Sequence, residues 1–157
     1  MIYRFLTVIL FLFITNVYAH QPADAYLDIF LPDSDGQMAF DLSINDITYI
    51  SKNLTQAAAD DTTFDEKIKK VATLISDNIL ISADGKQCVN NFLKNDTLTR
   101  GMDIYFRFIF KIDCGRKIYN LNISNNLSFD IEKKNKIFLT LKTNKDSVSY
   151  IFDEKQK

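Results

Sequence analysis

The chain has 157 residues, which is enough for one domain with a sizeable hydrophobic core. Its 19 basic and 20 acidic side chains give a net charge of −1, so the basic face of a nucleic-acid-binding protein is not expected. With 13 phenylalanines and only 4 glycines and 2 prolines, the composition favours strands.

An export signal is expected at residues 1–19. Arg4 supplies a short, positively charged start, residues 5–14 are almost entirely apolar, and the small Ala19 precedes the expected cleavage site. A retained membrane anchor is the alternative, but the apolar run is about half of the roughly 20 residues that a spanning helix needs. The sequence therefore predicts a periplasmic or secreted protein that begins at His20 and has no stable membrane insertion.

A β-hairpin is expected at the start of the exported chain. Residues 25–31 alternate in a strand pattern, residues 32–36 contain an Asp-Gly turn signal, and residues 38–45 alternate again. The second strand has an apolar row and a more polar row, formed by Met38, Phe40, Leu42 and Ile44 on one side and by Ala39, Asp41, Ser43 and Asn45 on the other.

One amphipathic helix is predicted over Phe64–Asn78. Thr63 and Glu66 have the spacing of a capping box at its start. Apolar residues then recur at helical spacing, at Phe64, Ile68, Val71, Leu74 and Ile75. We expect this stripe to pack on a sheet.

The rest of the chain is predicted to form short strands. Residues 79–82 form one strand, residues 83–86 a turn, and residues 87–92 pair back, whereas the polar residues 95–101 are expected to form a loop. The strict alternation of residues 102–113 indicates the clearest strand. Four further strands are expected at residues 117–124, 126–131, 136–143 and 147–152.

Many short strands with one helix predict a mainly β fold. We expect a β-sandwich-like, immunoglobulin-like arrangement in a single exported domain over residues 20–157. Tyr105, Ile109 and Phe138 fall opposite the main apolar rows of their strands. A helix or a second sheet is expected to cover them; the alternative is an exposed patch for a partner.

Both cysteines, Cys88 and Cys114, lie in the exported part of the chain. An oxidising compartment makes a disulfide between them the expected outcome. A two-thiol metal site is the alternative, but no neighbouring histidine or further cysteine would complete it.

The single histidine, His20, would become the first residue after cleavage. Its free α-amine and ring nitrogen could together chelate copper, nickel or zinc, with Asp24 as a further candidate ligand and Asp28 close in sequence. The alternative is an ordinary first residue with no metal. With no second histidine, a Ser-His-Asp or Cys-His catalytic group is not expected, and we predict no catalytic residues and no enzyme activity.

Several segments resemble motifs of one group of bacterial exported proteins. Residues 19–27 resemble "AHxPxDSYL", and residues 40–47 resemble "WDIALRDLD". Further along the chain, residues 80–88 with Cys114 fit the group's two-cysteine layout, and residues 129–132 with 137–139 resemble "FDxDxxH". The group is the extracytoplasmic N-terminal region of HupE/UreJ-type membrane proteins.

This resemblance implies an exported, non-enzymatic accessory domain. In the family, the region precedes a membrane-spanning part linked to nickel or cobalt uptake, so the expected partner is a membrane transporter and the expected role is transition-metal handling. The sequence lacks the membrane part, and the family's late histidine falls near Asn135. The alternative is an envelope structural or protein-interaction domain without metal.

Overall fold

The computed structural model describes residues 25–44, 46–47, 50, 63–101, 103–127 and 136–152. The predicted export signal, His20 and Asp24 lie outside these residues. The elements in chain order are β1 Ala25–Phe30, β2 Asp35–Ser43, α1 Phe64–Asn78, β3 Ile79–Ala83, β4 Lys86–Gln87, β5 Val89–Arg100, β6 Asp103–Asp113, β7 Leu121–Asn125, β8 Ile137–Lys142 and β9 Ser147–Phe152.

Two sheets and the helix enclose the core, so the mainly β, sandwich-like fold is confirmed. The larger sheet has the order β5-β6-β2-β1-β8-β9, and the smaller has the order β4-β3-β7. All neighbouring pairs are antiparallel except β1 and β8, which run parallel. The buried cluster includes one face of the larger sheet, the stripe of α1 and alternate residues of β3.

The N-terminal hairpin forms as predicted, although β2 ends earlier. Gly36 is required at its turn because a Cβ there would collide with the carbonyl oxygen of Phe30. Ile44, predicted in the apolar row of the strand, is instead helical and exposed. The Ser43 hydroxyl accepts a hydrogen bond from the Asp46 backbone N–H at 3.2 Å, as an N-cap does, and this ends the strand.

Helix α1 has the predicted bounds and the predicted cap. The Thr63 hydroxyl accepts from the Glu66 backbone N–H, and the Glu66 carboxylate accepts from the Thr63 backbone N–H at 2.9 Å. Ile68, Val71 and Ile75 are buried in the core cluster. The helix therefore packs on the face of the larger sheet that carries the core residues.

Three predictions for the later strands were wrong. The predicted loop at 95–101 is strand as far as Arg100, because β5 lies at the edge of its sheet and needs no apolar face along its whole length. Residues 87–92 are not one strand: the chain changes sheets at Cys88. Residues 117–120 precede β7, and the Asp84 carboxylate accepts hydrogen bonds from their last two backbone N–H groups.

Two other strand predictions are only partly covered by the described residues. Of the predicted strand at 126–131, residues 126 and 127 are not in strand conformation, and the rest lie outside the described residues. Met102, predicted to open the clearest strand, also lies outside them. The last two strands are β8 and β9, close to their predicted bounds.

The disulfide joins Cys88 and Cys114, as the sequence predicts. Cys88 comes just before β5, where the chain leaves the smaller sheet, and Cys114 comes just after β6. The adjacent pair, Val89 and Asp113, is the last rung between β5 and β6. The crosslink therefore closes the open end of this hairpin at the point where the two sheets are connected.

We expect the double substitution Cys88→Ser and Cys114→Ser to destabilise the protein. The two cysteines are 26 positions apart, and the chain-entropy model assigns about 3–4 kcal/mol to closing such a loop. Urea denaturation of the variant and of the unmodified protein measures this difference. A loss below about 1 kcal/mol would contradict a stabilising role for the crosslink.

Candidate interaction site

The outer face of the larger sheet, opposite the helix, carries a cluster of charged and aromatic side chains. Strand alternation places Asp41 of β2 on this face, because its neighbours Phe40 and Leu42 point into the core. Arg107 of β6 is its direct cross-strand partner. Tyr26 of β1 stands opposite Asp41 on the other side.

Asp41 is completely buried, and two arginines neutralise it. Arg107 forms a two-point contact, in which Nε donates to Oδ1 at 2.7 Å and Nη2 donates to Oδ2 at 2.8 Å. Arg100 of β5 donates to Oδ2 through Nε at 3.0 Å and also through Nη2. Hydrogen bonding to Asp41 raises the pKa of Arg107 above its ordinary value. Both guanidinium groups are therefore held in fixed positions.

Asp28 is the outward member of the same cluster. Its Oδ2 lies 3.4 Å from an Nη2 atom of both Arg100 and Arg107, and 43% of its side chain is exposed. The sequence placed Asp28 near a candidate metal chelate. The two positive charges beside it oppose a metal cation at this position.

Aromatic rings lie directly beside the charged groups. The guanidinium of Arg100 lies over the Tyr26 ring, 4.1 Å from its centroid, in cation–π geometry. Tyr26 also packs edge-on against Tyr105 and is stacked with Phe138, at centroid distances of 5.6 and 5.5 Å. We call this group of Tyr26, Asp28, Asp41, Arg100, Tyr105, Arg107 and Phe138 the arginine–tyrosine cluster.

The sequence placed Tyr105, Ile109 and Phe138 opposite the apolar rows of their strands, and all three lie on the outer face. Among the described residues, neither helix α1 nor the smaller sheet covers them, contrary to the expectation. Helix α1 and the smaller sheet pack on the other face, where Phe108 and Phe110 are buried. Tyr105 is buried, whereas Ile109 and Phe138 are half-buried. For Ile109 and Phe138, the alternative expectation of an exposed patch therefore agrees with the structure better than the expectation of a covered surface.

A second buried carboxylate, Asp46, lies just beyond β2. The Ser43 hydroxyl donates to its Oδ2 at 2.7 Å. Burial raises the pKa of Asp46 above its usual range, and hydrogen bonds from Ser43 oppose this shift only in part. Unlike Asp41, Asp46 has no cationic partner among the described residues.

The predicted metal ligands belong to the N-terminal part of the chain. His20 and Asp24 lie outside the described residues, so the copper or nickel chelate stays a prediction. Within the ranges that the structure describes, no three His, Cys, Asp or Glu side chains are grouped as a metal site would require. None of the helices in these ranges is long and apolar enough to cross a bilayer.

Comparison with known protein families finds no matching family model, and no curated protein is significantly similar to the chain. The resemblance to the HupE/UreJ-type exported region therefore stays a prediction.

Replacing Asp41 with asparagine is expected to destabilise the fold by about 2–3 kcal/mol. Removing one partner from a fully buried pair costs about 3–5 kcal/mol, and the partial exposure of the two arginines lowers that value. The matched control, Asp28→Asn, should cost less than about 1 kcal/mol because Asp28 is half-exposed. Urea denaturation measures both, and equal losses would contradict the central position of Asp41.

Asparagine at position 46 is expected to stabilise the protein at neutral pH. The folded pKa of Asp46 lies above its unfolded value, so the folded state binds the proton more tightly. Stability contributed by Asp46 is therefore present below the unfolded pKa and is lost as the pH rises through the folded pKa.

The gain from Asp46→Asn should thus appear as the pH rises from about 3 to 7. Thermal unfolding across this range checks it, with Asp33→Asn at an exposed turn as the control. A gain that does not change with pH would show that desolvation of the charge is not its cause.

Proposed function

We propose that the protein is an exported, non-enzymatic binding domain whose outer sheet face contacts a membrane protein of the bacterial envelope. The observation that carries this proposal is the arginine–tyrosine cluster, in which a buried carboxylate holds two arginines beside the half-buried rings of Tyr26 and Phe138. Tyrosine, phenylalanine and arginine are enriched in the energetically dominant parts of protein interfaces.

The fixed geometry of the cluster favours binding. A free arginine loses side-chain entropy when a partner immobilises it, at a cost of about 0.5–1.5 kcal/mol. Arg100 and Arg107 have already lost this freedom because Asp41 holds both of them. Part of each arginine side chain remains accessible, at 30% exposure, so a partner can contact it without paying the whole ordering cost.

Apolar side chains extend the same face beyond the cluster. Phe30 of β1 is 48% exposed and Ile151 of β9 is 46% exposed. Both lie on the outer side of their strands, since Ile29 and Phe152 next to them belong to the core cluster or pack against it. A face with apolar edges around fixed charges suits a protein surface better than a small solute.

The chemistry of the described residues supports binding in preference to catalysis. Both cysteines are joined, and the described part of the chain contains no histidine. The disulfide supports an oxidising location such as the periplasm. The resemblance supplies the expected partner, a multi-spanning transporter. Binding of a transition metal by His20 would be a second role, separate from the contact made by the outer face.

Photo-crosslinking in living cells tests the contact. A photoreactive phenylalanine analogue at position 30, on the outer face, is expected to yield an adduct with an envelope membrane protein. The matched control carries the same analogue at position 64, where Phe64 is 57% exposed at the start of α1 on the other side of the sheet.

Mass spectrometry of the adduct identifies the partner. A transporter subunit joined from position 30 and absent from position 64 is the expected result. Equal yields from both positions, or no membrane protein from position 30, would show that the outer face is not the contact surface.

A further inference from the structure

The two edges of the larger sheet differ in their protection against strand pairing. The β5 edge carries Lys94, Asp96 and Arg100, and its pairing with β6 is irregular between Phe92 and Lys94. Charges and bulges are the usual devices that prevent another strand from adding to an edge.

The β9 edge has none of these devices. From Ser147 to Phe152 it contains no charged residue and no proline, and its pairing with β8 is regular throughout. Among the described residues, no strand pairs with its second side. An edge strand presents a row of backbone donors and acceptors on that side, which is a template for another strand.

Apolar side chains flank this edge on both faces of the sheet. Val148 and Tyr150 are 41% and 60% exposed on the inner side, where they stand opposite Leu141 and Leu139 of β8. Ile151 is exposed on the outer side, opposite Phe138. A strand added to β9 would therefore bury apolar surface on both faces as well as pair the backbone.

We infer that β9 pairs antiparallel with β9 of a second copy of this chain, so that two larger sheets form one continuous sheet. The pairing is isologous, with the same strand on both sides of a two-fold axis. An uncharged strand meets its own copy without like-charge repulsion. The net charge is −1 for the full chain, or −2 without residues 1–19 and their Arg4, and adds little repulsion between whole molecules. This inference does not rest on the partner proposed for the outer face.

The sequence of β9 selects one register for this pairing. Side chains directly opposite each other must lie on the same face, so the two-fold axis passes through a residue. With the axis at Tyr150, Tyr150 faces its copy, Val148 faces Phe152, and Ser149 faces Ile151. Aromatic pairs and aromatic–β-branched pairs stabilise sheets. An axis at Ser149 would instead place Asp146 opposite Phe152, and an axis at Ile151 would pair only residues 150–152 within the strand.

The oligomeric state of the protein recovered from the periplasm tests this inference. Sedimentation equilibrium across the micromolar range is expected to show a dimer. Tyr150→Lys places two positive charges opposite each other at the axis and should weaken the dimer about tenfold or more. The control is Leu93→Lys, which adds the same charge at an exposed apolar position of the β5 edge and should leave the dimer unchanged.

A cysteine crosslink tests the register. Opposite residues in an antiparallel pair are within disulfide reach, so Tyr150→Cys should form a covalent dimer under mild oxidation. Ser149→Cys, whose partner is Ile151, should not crosslink to its own copy. A monomeric protein at every concentration, a dimer that Tyr150→Lys leaves intact, or crosslinking at 149 in place of 150 would each overturn the inference.

Discussion

The arrangement of side chains on the outer face of the larger sheet depends on the neutralisation of one buried carboxylate. Asp41 has no solvent exposure in the middle of β2, and a charge there without a partner would cost several kcal/mol. Its compensation comes from Arg100 and Arg107, which lie 59 and 66 residues further along the chain. The fold must therefore bring β2, β5 and β6 together in a fixed order before Asp41 can be buried.

This requirement also fixes the register of the strands. Asp41 is the direct partner of Arg107, which in turn is the direct partner of Asp96. A slip of one residue between β2 and β6 would turn Arg107 towards the core and leave Asp41 without its two-point contact. The hydrophobic core alone specifies which side of each strand is buried, whereas the ion pair adds a penalty for a wrong alignment.

The functional proposal follows from the same contact. Because Asp41 holds Arg100, the guanidinium of Arg100 lies over Tyr26, and Tyr26 in turn contacts Tyr105 and Phe138. One buried charge thus orders a surface that reaches from β5 to β8. The β9 edge belongs to the same sheet but differs in physical character, since its interactions are backbone pairing and apolar contact.

Local patterns in the sequence predicted the parts of the fold that local physics determines. The alternation of β6, the Thr63–Glu66 capping box of α1 and the paired cysteines each depend on neighbouring residues or on a simple count, and each is present. The strand over residues 95–100 was missed because an edge strand with polar side chains has the composition of a loop.

The arginine–tyrosine cluster could not be predicted because it depends on strand order. The alternation of β2 placed Asp41 on the polar side of its strand, which normally means exposure to solvent. A charged residue in the centre of an alternating strand is compatible with the solvent face of an antiparallel sheet, so Asp41 gave no local signal of its burial. Nothing local indicates that β2 pairs with β6 or that Arg100 reaches across β6 to Asp41.

A double-mutant cycle between Asp41 and Arg107 tests the central claim most directly. The free energies of unfolding of Asp41→Asn, Arg107→Met, the double variant and the unmodified protein give the coupling between the two side chains. We expect a coupling of about 2 kcal/mol or more, as for a desolvated, two-point ion pair. A coupling below about 0.5 kcal/mol, typical of an exposed pair, would contradict the claim that this contact orders the sheet.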